Sequence, residues 1–342
     1  MIETLKALCA LNGVTGNEGP VREYIRSRIE PYADEVKEDA MGCLLAFRKG
    51  SGSSDRTLML AAHMDEVGVI VTHVEEDGYL RFACAGGIDR RVFLGKELYL
   101  GEDGVRGVIG SSPLYVTPAG EREKTPPVDD MYIDIGAGSR EDALRYVRPG
   151  DTGAFSPEIY EFGNGMLKAK AIDDRVGCAV LIKLIEKQPP VDTWYVFTVQ
   201  EEVGCRGAQA AAFRIRPDAA LIVEGTTAAD LPSVRGNKKV CRSGAGAVIP
   251  FMDKGTIYDR ELFGRMTALA ERKGIPWQTK SMIAGGTDAR TIQRSAEGVR
   301  VVGIAAAVRN IHSPGSAVAV SDVLNVYELA SAFVGETGEW LI

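Results

Sequence analysis

The chain has 342 residues, which is long enough for more than one domain. Hydrophobic residues make up 45% and charged residues 25%, which is the composition of a globular protein. A formal net charge of -7 at pH 7 argues against nucleic acid as a partner. No apolar run is long enough to cross a bilayer, and the N-terminus lacks a signal-peptide pattern. The six cysteines are scattered without a CxxC pair, so we expect buried thiols in a cytoplasmic protein with no membrane partner.

Residues 1–66 are predicted to form two helices followed by strands. The second helix would cover 18–29, where apolar residues recur at helical spacing. Residues 57–62 are a continuous apolar run ending at His63, which is typical of a buried strand covered on both faces. The first helix would bury one face, formed by Ile2, Leu5, Leu8 and Cys9.

The middle of the chain has a different pattern. From about residue 67 to 163, short strand-like segments recur between glycine turns, which indicates a small β-barrel or sandwich. Within it, residues 117–130 are predicted to be an exposed loop, and residues 140–146 a helix.

Strands and helices alternate again beyond residue 168. We therefore predict an α/β domain of residues 1–66 and 164–342, interrupted by a β insertion of residues 67–163. The elements predicted in the last part of the chain are helices at 174–186, 257–273 and 323–335 and strands at 194–199, 219–223 and 301–305.

Candidate metal ligands stand at the ends of three predicted strands. His63 ends the first, Glu201 and Glu202 follow the second, and Glu224 follows the third. Ligands of open α/β sheets gather beyond the carboxyl ends of strands, so we expect these side chains to meet. Imidazole and carboxylate are what a borderline divalent ion such as zinc binds.

Some of these residues also have a purely structural interpretation. His63 taken alone is more simply a buried, locally hydrogen-bonded histidine, although Asp65 could fix the tautomer of a ligating ring. Asp174 is a natural helix cap, which would leave Asp173 free to bridge two metals.

The remaining candidates are equally ambiguous one by one. Glu201 and Glu202 could be a solvated strand end, or one could bind metal while the other acts as general base. His312 could be a surface loop residue, and His73 is expected at the surface or in packing. Residues 285–289 could be only a turn and helix cap, or they could bind substrate. All of these segments together in one chain favour a metal centre over coincidence.

The candidate residues lie in five motifs, which are Ala-His-Met-Asp-Glu-Val-Gly, Ala-Ile-Asp-Asp-Arg-Val-Gly, Gln-Glu-Glu-Val-Gly-Cys-Arg-Gly-Ala, Gly-Gly-Thr-Asp-Ala and Ile-His-Ser-Pro. These motifs resemble those of the tetrahedral aminopeptidase family, which includes glutamyl, leucyl and deblocking aminopeptidases and members labelled cellulase M. The resemblance spans nearly the whole chain. It implies a phosphorylase/hydrolase-like, three-layer α/β/α catalytic domain with an inserted small β-barrel domain used in dimerisation.

The resemblance also implies a role for each residue of the motifs. Many members have Asp where this chain has Glu224, and residues 107–115 lack a histidine found in many relatives. Asp174 would follow a cis peptide bond. The implied roles are metal binding for His63, Asp173, Glu202, Glu224 and His312, with Asp173 bridging; orientation of His63 by Asp65; general base for Glu201; and substrate binding for Gly286, Thr287 and Asp288.

The predicted function is that of a di-metal aminopeptidase acting on peptides with a free N-terminus. The two ions, zinc or cobalt with manganese also compatible, would share a water whose proton passes to Glu201. The main alternative is a di-metal amidase or deacylase acting on N-acyl amino acids or another amide. A non-catalytic scaffold and a metal-free glycanase are further classes. The resemblance also implies a homo-oligomer, most simply a dodecamer built from dimers, with residues 67–163 at the contacts.

Overall fold

The computed structural model describes residues 1–341, and its strands form two separate sheets. The strands, in chain order, are β1 (Glu35–Glu38), β2 (Leu44–Arg48), β3 (Thr57–His63), β4 (Gly68–Val74), β5 (Leu80–Ala85), β6 (Glu97–Leu100), β7 (Val105–Ser111), β8 (Met131–Asp134), β9 (Thr152–Phe155), β10 (Tyr160–Phe162), β11 (Met166–Ala169), β12 (Asp192–Thr198), β13 (Ala219–Thr227), β14 (Ala247–Val248), β15 (Trp277–Gln278), β16 (Arg300–Arg309) and β17 (Ser316–Ala319).

The larger sheet has eleven strands, in the spatial order β1-β2-β12-β3-β13-β16-β17-β11-β10, with β14 paired to β16 and β15 paired to β14. Its four central strands β12, β3, β13 and β16 run parallel to one another. Almost every residue of β3 and β13 is buried, because helices cover the sheet, and this confirms the buried strand expected before His63.

The smaller sheet is a closed barrel of six strands in the order β4-β5-β8-β7-β6-β9. It has a hydrophobic core of its own, separate from that of the larger sheet, with Phe82, Phe93 and Phe155 in contact inside it. The predicted β-barrel insertion is thereby confirmed as a structure. Its predicted end at residue 163 stays a prediction, and β10 pairs with β11 of the larger sheet.

Helices lie against the larger sheet and complete a three-layer α/β/α domain. Helix α4 packs against β13 and β3 and is also in contact with α1, while α5 packs against β12 and α7. None of the described helices is long and apolar enough to cross a membrane. The helices are α1 (Ile2–Ala10), α2 (Gly19–Ile29), α3 (Arg140–Ala143), α4 (Ile172–Leu184), α5 (Arg206–Ile215), α6 (Arg260–Lys273), α7 (Ala289–Ile292), α8 (Val320–Gly335) and α9 (Thr337–Trp340).

Several predicted elements differ from the structure. Strand β13 does not end before Glu224 but continues to Thr227, because it keeps its hydrogen bonds to β16. The helix expected over 140–146 is one short turn, Arg140–Ala143. Helix α5 was not predicted at all, although its buried residues Ala208, Ala211 and Ala212 recur at helical spacing.

Helix α4 lies so close to β13 that a side chain would not fit between them at Gly177. A Cβ atom there would be 2.4 Å from the Val223 carbonyl oxygen and 2.4 Å from Asp174 Oδ2. Contacts under about 3 Å require a neighbour to move, and here the neighbours are backbone and a buried carboxylate. The glycine after Asp173-Asp174 therefore fixes the depth at which these carboxylates lie beneath the edge of the sheet.

All six cysteines are free thiols, five of them buried and Cys84 exposed. The five buried thiols confirm the expectation of burial, and Cys84 on β5 is the exception. The cytoplasmic location itself stays a prediction.

Candidate metal centre

The candidate ligands meet at the carboxyl ends of the four central parallel strands. His63 is the last residue of β3, and Glu201 and Glu202 follow the end of β12. Glu224 lies within β13, and His312 follows the end of β16. All of them line one cavity together with Asp173 from the start of α4.

Room for the centre comes from the separation of two strands. Strand β13 pairs with β3 only as far as Ile222, opposite Ala61, and continues against β16 alone to Thr227. Glu224 is therefore beyond the last paired residues of β3 and β13. Its carboxylate reaches into the gap, where Glu224 Oε2 is 3.6 Å from His63 Nε2.

Asp173 joins two groups of imidazole and carboxylate. Its Oδ1 is 3.4 Å from His63 Nε2, the nitrogen that also faces Glu224. Its Oδ2 is 3.4 Å from His312 Nε2, which is 3.2 Å from Glu202 Oε1. One carboxylate thus has one oxygen in each of two neighbouring ligand sets.

These distances suit metal ions better than direct hydrogen bonds. Ligand atoms about 2.1 Å from a tetrahedral ion lie roughly 3.4 Å from one another, and the four separations are between 3.2 and 3.6 Å. Among residues 1–341, Asp173 Oδ1, Glu202 Oε1 and Glu224 Oε1 are buried and accept no hydrogen bond. Buried polar atoms are rarely left unpaired, so the donor set fits divalent cations.

Asp174 is also near His63 and Glu224, with ligand atoms of all three within 4.8 Å of one another. Both of its oxygens are already used by the backbone. Oδ1 accepts a hydrogen bond from Gly177 N at 2.9 Å, and Oδ2 accepts one from His63 N at 3.2 Å. Asp174 therefore caps the helix, as its structural interpretation suggested. The peptide bond between Asp173 and Asp174 is cis.

Two backbone carbonyls set the tautomers of the imidazoles. Nδ1 of His63 is 3.1 Å from the carbonyl oxygen of Asp65, and Nδ1 of His312 is 2.8 Å from that of Gly87. A carbonyl only accepts, so each Nδ1 carries the proton and donates it. In the neutral ring that a metal binds, each Nε2 then directs its lone pair at the carboxylates, which is the arrangement of ligating histidines.

The carboxylate of Asp65 holds the two adjacent glutamates in place. Glu201 N donates to Asp65 Oδ1 at 3.0 Å, and Glu202 N donates to Asp65 Oδ2 at 3.1 Å. The chain has left the strand here and turns, with positive φ at Gln200 and at Gly204. Neighbouring side chains on a strand point to opposite faces, and this turn is what lets both glutamates line one cavity.

Glu201 has a different environment from Glu202. Its Oε1 accepts a hydrogen bond from the Cys205 thiol at 3.2 Å, and it makes no ion pair with either imidazole within 4.0 Å. Burial raises the pKa of Glu201 above the ordinary value of a glutamate. It is thus a buried carboxylate beside the ligands, with its position fixed through the backbone by Asp65 and through the side chain by Cys205.

The centre takes up protons when no cation is bound. Burial raises the pKa of Glu202 to about 8, and burial together with the nearby Asp174 raises the pKa of Glu224 well above its ordinary value. Burial lowers the pKa of His312, but Asp173 and Glu202 outweigh it and raise that pKa to about 9. Cations that bind these atoms must displace protons, so binding strengthens as pH rises through this range.

Only part of the motif predicted to bind substrate lines the cavity. Gly286 and Thr287 line the cavity, which has a volume of about 270 Å³. Asp288 is buried behind it, and its carboxylate accepts a hydrogen bond from the Thr198 hydroxyl at 2.5 Å. Burial, with the charge of Glu201 adding to it, raises the pKa of Asp288 to about 7. A direct contact of Asp288 with substrate stays a prediction. His73 is exposed on strand β4 of the barrel and does not line the cavity.

Several residues that shape the centre were not predicted from the sequence. The Gly87 carbonyl is a backbone atom and has no residue signature. Cys205 belongs to a predicted motif, but a lone thiol gives no signal of a hydrogen bond to Glu201. Tyr258 and Lys280 also line the cavity, and neither belongs to a motif with metal-ligand or nucleophile chemistry.

The chain is similar to known aminopeptidases along most of its length. Residues 42–329 match the family described as M42 glutamyl aminopeptidase. The aminopeptidase APDkam598 from the archaeon Desulfurococcus kamchatkensis superposes with a TM-score of 0.94 at 37% identity, over 99% of this chain and 96% of that one. The lysyl aminopeptidase of Pyrococcus furiosus is 32% identical over 98% of this chain and 96% of its own length. The Pyrococcus horikoshii TET1 peptidase, which can assemble into a tetrahedron or a large octahedral shell, has a TM-score of 0.86 at 32% identity, over 98% of this chain and 99% of that one.

The chain belongs to the M42 glutamyl aminopeptidase family. It is a metal-dependent aminopeptidase, and the family predicted from the five motifs is confirmed.

Replacing Asp65 tests how the centre is held. In Asp65→Asn one oxygen remains to accept from the backbone N–H groups of Glu201 and Glu202. The amide NH₂ that replaces the second oxygen is itself a donor and faces one of these N–H groups. We expect metal affinity or activity to fall about 10–100-fold, as when other partners that orient ligands are removed. Metal affinity is measured by calorimetry on metal-stripped protein.

Asp39→Asn is a matched control, because Asp39 Oδ1 accepts from the backbone of Met41 and Cys43 at 2.9 Å each, outside the cavity. It should leave metal affinity unchanged. Wild-type affinity in Asp65→Asn would show that this carboxylate does not hold the glutamates.

Proposed function

We propose that the chain hydrolyses the first peptide bond of peptides with a free N-terminus, with the help of two divalent ions. The observation that supports this most directly is the position of Asp173, which presents one oxygen to each of two imidazole–carboxylate sets. His63 and Glu224 complete the first set, and Glu202 and His312 the second.

Zinc or cobalt suits this mixture of imidazole nitrogen and carboxylate oxygen, and manganese is compatible with so many oxygens. Divalent ions bound here supply positive charge that polarises the scissile carbonyl and makes a water molecule easier to deprotonate. Metal analysis of the purified protein measures both identity and number.

Glu201 is the proposed general base. Its Oε1 is held by the Cys205 thiol, and its Oε2 accepts no hydrogen bond from residues 1–341, so Oε2 is the atom that takes the proton of water. The pKa of Glu201 is raised by burial, and a base with a raised pKa holds the proton well enough to deliver it to the leaving amine.

Metal and a free α-amine should both be required for activity. The purified protein is expected to hold up to two divalent ions per chain, to lose hydrolysis of leucine anilide on chelation, and to regain it with metal. The N-acetylated anilide should not be cleaved. Full activity in metal-free protein would rule out the proposed centre.

The same assay separates aminopeptidase from amidase. Cleavage of the N-acetylated anilide in preference to the free one would favour the di-metal amidase or deacylase. No carboxylate pair outside the ligand sets lines this cavity among the described residues, so a metal-free glycanase is not favoured.

Variants of the adjacent glutamates test their division of roles. Glu201→Gln preserves shape and removes the proton acceptor, so it should keep both metals and lose roughly 10²–10⁴-fold in turnover. Glu202→Ala removes a ligand and should release an ion. Metal content, turnover and thermal stability are measured on both.

The two variants serve as controls for each other, since they change neighbouring residues held by the same Asp65. Metal loss in Glu201→Gln with metal retained in Glu202→Ala would reverse the assignment. Activity in both would leave the pair as a solvated strand end.

We also propose that the chain forms a homo-oligomer through the barrel. Leu114, Tyr115 and Val116 are 65%, 83% and 61% exposed, and consecutive exposed apolar residues of this kind mark interaction surfaces. The TET1 peptidase, similar to this chain throughout, assembles into a tetrahedron, and a TET1 structure contains a dodecamer. A dodecamer built from dimers is therefore the proposed assembly.

Light scattering at micromolar concentration is expected to give twelve times the chain mass of 36.8 kDa. Tyr115→Lys should reduce this mass while leaving the barrel folded, because the side chain is exposed. A wild-type mass equal to one chain would contradict the proposal.

A further inference from the structure

Three consecutive backbone N–H groups at the turn of the proposed base each donate to a carboxylate. Glu201 N and Glu202 N donate to the two oxygens of Asp65, and Gln200 N donates to Glu18 Oε1 at 3.2 Å. Glu18 lies outside the five motifs and does not line the cavity. It nevertheless contacts the turn at the residue directly before Glu201, so its carboxylate can act on the base without touching it.

Glu18 is a buried carboxylate whose hydrogen bonds all come from backbone groups. It lies at the start of α2 and is 4% exposed. No lysine, arginine or histidine nitrogen of residues 1–341 lies within 4.0 Å of its oxygens, and Arg22, one turn along the helix, pairs with Glu38. Its Oε1 accepts from Gly16 N at 2.7 Å as well as from Gln200 N. Burying a carboxylate is costly, and these backbone donors offset part of that cost.

Gln200 has a backbone conformation that needs support. Its φ is 56°, in the left-handed region that a residue with a Cβ atom adopts at a cost. It lies just past the end of β12, where the chain leaves the sheet and turns. A change of φ at this residue would redirect the Glu201 side chain relative to the metal ligands. The hydrogen bond to Glu18 therefore stabilises the conformation on which the direction of Glu201 depends.

The segment that carries Glu18 is itself fixed to the first ligand motif. Gly13 N donates to Glu66 Oε1 at 3.1 Å, and Glu66 N donates to the Gly13 carbonyl oxygen at 2.9 Å. Thr15 N donates to the Glu66 carbonyl oxygen at 3.1 Å. Glu66 directly follows Asp65, which holds the same turn from its other side. Glu18 thus holds Gln200 from a segment whose own position is set by the metal centre.

We propose that Glu18 is a positioning residue for hydrolysis: it accepts the Gln200 N–H and thereby keeps Glu201 directed at the water that it deprotonates. This inference rests on the proposed function, in which Glu201 is the general base. The role differs from that of Asp65, which also holds the proposed ligand Glu202. Glu18 makes no hydrogen bond to any proposed ligand, so its loss should slow turnover and leave metal binding intact.

Glu18→Met tests the role, because it fills similar space and removes the acceptor. We expect kcat for leucine anilide to fall about 10–100-fold, as when a catalytic group is displaced by a change outside the site. KM and the metal affinity measured by calorimetry should match those of the wild type, since the ligands and the cavity wall are untouched. Glu18→Gln keeps an oxygen acceptor at the same place and should retain most of the turnover.

Hydrogen exchange of the metal-loaded protein gives a measurement that does not depend on turnover. In Glu18→Met, the peptide covering residues 199–205 should exchange faster than in the wild type, and in Glu18→Gln it should not. If Glu18→Met does not fold, Glu18→Asp replaces it. Glu18→Asp keeps the charge, draws the acceptor back by one methylene, and should lower kcat about 10-fold with the same change in exchange.

Asp322→Leu is the matched control for the loss of a buried carboxylate. Asp322 is fully buried, accepts from Gly244 N at 2.7 Å and from Gly246 N at 2.9 Å, and does not line the cavity. The variant should lower the melting temperature and leave kcat, KM and the exchange of residues 199–205 unchanged. A purely structural role of Glu18 would give the same result for Glu18→Met.

The outcomes separate this proposal from the proposed function. If metal-loaded wild-type protein cleaves no anilide, the proposed function fails, while the exchange of residues 199–205 still shows whether Glu18 holds the turn. If the wild type is active and Glu18→Met keeps its kcat, the positioning role is overturned. It is also overturned if Glu18→Gln loses as much turnover as Glu18→Met, or if Glu18→Met releases a metal ion, since Glu18 would then support a ligand and not the base.

Discussion

Buried carboxylates repel one another, and the centre places Asp173, Glu201, Glu202 and Glu224 around one cavity with only two imidazoles beside them. Removal from water penalises their charged forms, and the pKa of Glu202 rises to about 8 for this reason. Without cations, protons offset part of this charge, whereas the two imidazoles outweigh burial at Asp173 and hold its pKa below the ordinary value. With cations the repulsion and the protons both disappear, so folding and metal binding are coupled at this edge of the sheet. The surrounding structure has to keep the ligand atoms directed into the cavity in spite of their mutual repulsion and their removal from water.

Hydrogen bonds to backbone N–H groups hold the ligand atoms in this position. They use the carboxylate oxygens of Asp174 and Asp65, which are not proposed to bind metal. Asp174 uses both oxygens on backbone N–H groups, and this leaves the adjacent Asp173 with an unpaired oxygen. The Asp65 carboxylate holds the backbone of Glu201 and Glu202 and leaves their side chains free. In each case a carboxylate bound to the backbone determines what its neighbour can do. The acidic pairs of the sequence therefore differ in role, although their members are chemically equivalent.

The parts of the centre that depend on residue type could be predicted from the sequence. The parts that depend on the three-dimensional course of the chain could not. His63 was predictable because the apolar run before it marks a buried strand, and the cap chemistry of Asp174 separated it from Asp173. Glu224 was placed at a strand end, but β13 continues past it, since pairing with β16 is not visible in one segment. The Gly87 carbonyl and Lys280 reach the cavity through tertiary contacts alone. The barrel was predicted from regular turns, whereas α5 was missed although its buried alanines recur at helical spacing.

The two halves of the centre are supported by different parts of the fold. His63, Asp173 and Glu224 belong to the central sheet and to α4, so the first ligand set depends on one packed core. His312 is oriented by Gly87, which follows β5 of the barrel, and a Cβ at the adjacent Gly86 would be 3.2 Å from that of Glu202. The second ligand set therefore depends on how the barrel sits against the sheet. The insertion also carries Leu114, Tyr115 and Val116, which are exposed between β7 and β8, so the surface available for assembly and the carbonyl that orients His312 belong to the same part of the chain.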